Sequence, residues 1–90
     1  MIWVLGEKRD VSAVVSVAIG ADPVISSATY EVFDTSDESI VASGSASVSN
    51  LIVYFLWQPS DVGNYVARIY YNILDEKYTS SQVIEVRETL

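Results

Sequence analysis

Three acidic side chains, Asp34, Asp37 and Glu38, crowd into one polar stretch, where clustered carboxylate oxygens could hold calcium. The D-x-[DN]-x-[DN]-G spacing of a calcium loop is missing, so solvated turn residues are the simpler reading. Asp75, Glu76 and Lys77 likewise read as a polar hairpin tip. Serine is abundant, and a Ser–Lys pair can work as nucleophile and base without histidine. Neither a G-x-S-x-G elbow nor an S-x-x-K pair occurs, so no serine stands out as a nucleophile. With no His and no Cys, the chain has no imidazole base, thiol nucleophile or disulfide. Zinc sites of the usual kinds, iron–sulfur clusters and His- or Cys-ligated haem are excluded with them. The expectation is a protein that is not an enzyme, with no metal and no cofactor. Flat aromatic rings offer one further chemistry, stacking on sugar faces, for which Trp3, Trp57 and the tyrosines, Tyr78 among them, are the candidates. Trp57, however, alternates in phase with Leu51, Val53 and Phe55 and reads better as core.

Charge narrows the partners. Twelve acidic against five basic residues give a formal net charge of −7, which repels nucleic-acid phosphates and anionic lipid surfaces. No nucleic-acid or membrane partner is expected. The 90 residues fit one domain, 1–90, and with 50% apolar and 19% charged residues the chain should fold. Met1 to Leu5 is apolar but gives way at once to Gly6-Glu7-Lys8-Arg9-Asp10, too short for a leader core and without a basic start. No apolar run approaches the roughly 20 residues that span a bilayer. If Met1 is the true start, the expected location is the cytoplasm or a particle assembled from it.

The dominant period along the chain is two, the signature of strands, and helical patterning is nearly absent. Val11 to Ile19 alternates as one long strand, stopped by Gly20-Ala21-Asp22-Pro23. Ala28 to Phe33 alternates next, Thr35 to Glu38 forms a polar loop, and Ser39 to Ser43 returns, broken by Gly44. Ser45 to Val48 and Leu51 to Trp57 form a hairpin about Ser49-Asn50, because Asn tolerates the positive φ of tight turns. Tyr65 to Leu74 and Tyr78 to Arg87 form a last hairpin, turned at Asp75-Glu76-Lys77. Its expected register sets Ile69 near Ile84, Ala67 near Val86 and Arg68 opposite Glu85, with Glu31 as a neighbour across the sheet. With Ile2 to Leu5, about seven to eight strands result, the count of an antiparallel β-sandwich.

Asp61-Val62-Gly63-Asn64-Tyr65 reads D-x-G-x-Y at the start of a penultimate strand, with Ala67 two residues on. This resembles the tyrosine corner of immunoglobulin-like (Ig-like) sandwiches, whose Tyr hydroxyl reaches back to upstream backbone. The resemblance implies an Ig-like fold in which Gly63 takes the tight turn, Asp61 bonds local amides and Tyr65 pins the corner. Ala67 stands where antibody domains carry their second Cys, and the first Cys is also missing. The resemblance is therefore to disulfide-free modules of bacterial and phage type. Trp57 lies just before the corner and does not match the family's core Trp. Size, acidity and pattern together are similar to small structural proteins of tailed phages and prophages, which implies a virion component.

One strand carries apolar residues on both faces. If Leu51, Val53, Phe55 and Trp57 point inward, then Ile52, Tyr54 and Leu56 point out, where alternation with polar residues is the rule. Val14 and Ala18 should lie beside them, with Ser45 and Ser47 leaving the stripe flat. Either a neighbouring segment covers such a contiguous stripe or it is a contact surface, and its continuity points to an interface. The sequence thus points to a non-catalytic structural or protein-interaction module that meets a protein partner or itself through Val14, Ile52, Tyr54 and Leu56. The alternative is a carbohydrate- or ligand-binding sandwich.

Overall fold

The computed structural model of the protein describes residues 1–15, 24–73 and 75–89. These hold eight strands: β1 (Ile2–Val4), β2 (Arg9–Val14), β3 (Ile25–Asp34), β4 (Ile40–Ser45), β5 (Ser47–Ser49), β6 (Ile52–Trp57), β7 (Gly63–Ile73) and β8 (Glu76–Arg87). Five form one sheet in the order β1-β8-β7-β3-β4, and three form a second in the order β2-β6-β5. The chain is all-β, with two sheets arranged as a β-sandwich.

Alternation decides which residues fill the space between the sheets. Val11 and Ala13 of β2 and Val53, Phe55 and Trp57 of β6 are buried from one side. Val32, Ala67, Ile69 and Ile84 close on them from the other. Aromatic rings set the contacts at two levels. Tyr30 stacks on Phe55 with centroids 3.9 Å apart, while Trp57 sits 5.3 Å from Trp3 and 5.1 Å from Tyr65. Trp3 is fully buried although its strand is three residues long, which the sequence was too short to phase. Its indole Nε1 is enclosed without a hydrogen-bond partner, and the Arg9 guanidinium lies 4.4 Å from the ring centroid.

Several expectations need correction. The sandwich is not wholly antiparallel, because β1 joins β8 in parallel, pairing Trp3 with Val86. That edge position lets Trp3 drop between the sheets beside Trp57. β2 begins at Arg9, ahead of the expected Val11. The expected continuation from residue 16 to Ile19, and with it Ala18, lies outside the described residues. Gly44 does not break the return strand; it lies inside β4 opposite Tyr30. A Cβ there would sit 3.4 Å from the Tyr30 ring, so the missing side chain makes room for the ring. Ser45 belongs to β4 in the five-stranded sheet, so it does not flank the β6 stripe.

The last hairpin differs most. Arg68 lies opposite Ser81, not Glu85, and Ile84 and Val86 face Tyr65 and Gly63, not Ile69 and Ala67. The register is moved by four residues because the strands run on to Ile73 and resume at Glu76, closing the turn earlier than Asp75-Glu76-Lys77. Stacking of Tyr71 on Tyr78, centroids 5.5 Å apart, favours this pairing. An even shift leaves each side chain on its face, so Ile84 and Val86 still point inward. Glu85 pairs instead with Arg87 on its own strand, at 3.0 Å. Glu31 does lie across from Arg68 on the neighbouring strand.

Candidate functional site

The corner between β6 and β7 is packed through Trp57, whose ring lies 5.1 Å from that of Tyr65. Tyr65 is 4% exposed, and its hydroxyl donates to the Asp61 carbonyl oxygen at 2.9 Å. Gly63 takes φ +152°, a value that side-chain-bearing residues rarely adopt. Burial pushes the Tyr65 phenol pKa up, and the nearby Asp34 and Asp61 charges add to the shift. Asp61 enters this corner through its backbone carbonyl alone; the expected bonds from its side chain to local amides are not found among the described residues, and Tyr65 and Gly63 carry the turn. The corner ends the loop after Trp57 and holds the inward face of β6 against the core.

With that face fixed, the other face of β6 must point outward. Ile52 is 43% and Leu56 51% exposed, with Tyr54 half-buried between them. β6 is the middle strand of its sheet, so its outward side chains are flanked on both sides. Val14, 72% exposed, lies opposite Ile52 on β2, and Ser49 lies opposite it on β5. Ser12 and Ser47 flank Tyr54 in the same way, and Asp10 lies beside Leu56. The four predicted interface residues thus share one exposed sheet face, with serines on either side and one carboxylate at its end. Short serine side chains leave the apolar ones proud of the surface. The arrangement can bury apolar area against another surface.

The acidic loop is built for its own turn. Asp34 Oδ1 accepts from the Ser36 amide at 2.9 Å and hydroxyl at 2.7 Å, and Asp37 Oδ1 accepts from Ser39 at 3.0 and 2.7 Å. These bonds hold the Asp37 carboxyl below its ordinary pKa, the Ser39 hydroxyl contributing most. Glu38 sits at φ +60° in that turn. Among the described residues no three His, Cys, Asp or Glu side chains are placed to hold a metal. Of the aromatic candidates, Trp3 and Trp57 are buried in the core, so their faces are not open to a sugar. Tyr78 is 39% exposed, stacked on Tyr71, and donates its hydroxyl to Glu76.

A second uncovered apolar row escaped the sequence reading. On the outer face of the five-stranded sheet, Ile40, Phe33, Val66 and Val83 are cross-strand neighbours in line. Ile40 and Val83 are 54% and 63% exposed. A hollow of about 360 Å³ opens beside Phe33 and Val66, bounded by Asp34, Thr35, Glu38 and Arg68. Phe33, Val66 and Val83 each sit next to a core residue in sequence (Val32, Ala67 and Ile84), Ile40 precedes Val41, and only pairing the strands brings the four into a row. Their outward phase on β3 and β7 was the signal that could have found them.

No known protein family, curated protein or solved structure matches the chain. Among the described residues no helix is long and apolar enough to cross a membrane.

Proposed function

We propose that the chain is a non-catalytic structural module that assembles with a second copy of itself through the outer face of its three-stranded sheet. The observation that carries this reading is the exposure of Ile52, Tyr54 and Leu56 along the middle strand of that sheet, with Val14 beside Ile52. Water opposes such area at about 25 cal/mol per Å², and a two-fold contact is the commonest way to remove it. A two-fold axis along β6 would lay each copy's stripe on the other's and Ser12 on Ser47. Among the described residues Asp10 is the one charged side chain that the paired strands place on that face, against a net charge of −7 for the chain. The lack of His and Cys in the sequence supports a non-catalytic role.

The Ig-like reading gains support from strand order. β8-β7-β3-β4 opposite β2-β6-β5 parallels the G-F-C-C′ and B-E-D arrangement of variable-type Ig sandwiches, and the Tyr65 corner falls where their F strand starts. Fold alone does not assign a role. A subunit of a phage or prophage particle is the setting that the resemblance favours. Capsid, portal or tail genes beside its own would support that setting, and an operon of unrelated enzymes would count against it.

The test of the face is Tyr54→Lys with Leu56→Lys, sized in solution beside the wild type. A folded double variant that loses an assembly formed by the wild type supports the reading. A double variant that assembles as the wild type does removes this face from the contact.

A further inference from the structure

The outer face of the five-stranded sheet has a chemical symmetry of its own. Consider the line between β3 and β7, its two middle strands in the run β4-β3-β7-β8. The first row across that line reads Ile40, Phe33, Val66, Val83, apolar from end to end. The second reads Ser43, Glu31, Arg68, Ser81, with opposite charges about the line and serines outside them. The third reads Ser45, Thr29, Tyr70, Thr79, with hydroxyls throughout. Each row complements its own reversal, apolar on apolar, charge on opposite charge and hydroxyl on hydroxyl.

That pattern is what a self-complementary contact needs, since residue i must meet j while j meets i. We propose that this face joins a second copy of the chain about a two-fold axis running along the strands between β3 and β7. The axis exchanges β3 with β7 and β4 with β8. It sets Phe33 over Val66 of the second copy, Ile40 over its Val83, and Arg68 over its Glu31, twice over.

Charge complementarity selects the occupant. Arg68 and Glu31 are cross-strand neighbours, yet no ion pair joins them among the described residues. The guanidinium instead lies 5.1 Å from the Phe33 ring centroid, leaving its hydrogen bonds available to a carboxylate arriving from above. A second copy brings that carboxylate and receives the same in return. The three rows on four strands cover roughly 19 by 20 Å. That is less than the about 800 Å² per partner of a standard interface, so a weak, reversible dimer is expected.

This contact is independent of the proposed three-stranded-sheet interface, and together the two faces make the chain a two-sided link in an open assembly. The experiment keeps them apart by working in the Tyr54→Lys, Leu56→Lys background, where the other face is closed. Sedimentation velocity on that parent should show a monomer–dimer equilibrium. Adding Arg68→Glu, or separately Glu31→Arg, should weaken dimerisation at least about tenfold, because like charges then face each other across the two-fold. Mixing the two charge variants one to one should restore a dimer, since each now carries the sign the other needs. The same exchange in the wild-type background serves if the lysine parent does not fold. There each charge variant alone should stop at a dimer and the mixture should grow beyond it. A parent that stays monomeric to millimolar concentration overturns the proposal, as does a mixture no more associated than its components.

Discussion

Strand β6 places two equally apolar faces in opposite surroundings. Val53, Phe55 and Trp57 are at most 7% exposed, while Ile52 and Leu56 on the other side are 43% and 51% exposed. Residue type does not separate the two sets. Contacts do: Phe55 meets Tyr30 and Trp57 meets Trp3 and Tyr65, all supplied by the opposite sheet. No described strand covers the outer side. Apolarity says that a side chain gains from burial, and the fold says whether this chain alone provides it. The inner face stabilises the monomer, and in our account the outer face acts only between molecules.

The largest effect expected from this contrast is on the inner side. Trp57→Ala should cost the monomer about 3–5 kcal/mol, measured by chemical denaturation, because it opens a cavity between Trp3 and Tyr65. A loss below about 1 kcal/mol would mean that the ring is not part of a packed core. The corner comes next. Tyr65→Phe should cost roughly 0.5–1.5 kcal/mol by removing the part-buried hydrogen bond to the Asp61 carbonyl. Gly63→Val should cost no less, given its φ of +152°. Either variant as stable as wild type would remove the corner from the account.

A pH measurement sharpens the same point. Burial raises the Tyr65 phenol above its ordinary pKa of 10.0, so folding favours the protonated ring. The stability it contributes is complete below pH 10 and is lost as pH rises through the folded-state value. The alkaline arm of the stability profile should therefore fall less steeply in Tyr65→Phe than in wild type. Equal slopes would show that the phenol is hydrated. The smallest effect belongs to the outer face, where Leu56→Ser should change monomer stability by only about 0.5 kcal/mol in either direction while weakening assembly. Should it destabilise the monomer as Trp57→Ala does, the two faces would not differ as described.

Much of this was legible in the sequence, for physical reasons that also mark where reading stopped. A period of two fixes facing, so the inward set of β6 and its outward stripe followed from alternation alone. The D-x-G-x-Y spacing announced the Tyr65–Asp61 bond because that bond is local. Partners far apart in sequence were harder. Facing survives an even shift in register, so the alternation of Tyr65 to Ile73 could not reveal that Arg68 meets Ser81. The parallel pairing of β1 with β8 and the burial of Trp3 depend on an edge that only the assembled sheet provides. The Ile40–Phe33–Val66–Val83 row spans four strands, so the outward phase of each residue is local but their alignment appears only when the strands pair.

The most direct test is sedimentation velocity of the unmodified protein across a concentration series at physiological salt, where repulsion from its net charge of −7 is screened beyond about 8 Å. The account predicts a weight-average sedimentation coefficient that climbs steadily from the monomer value as concentration rises from micromolar to hundreds of micromolar. A coefficient that stays at the monomer value throughout would contradict it.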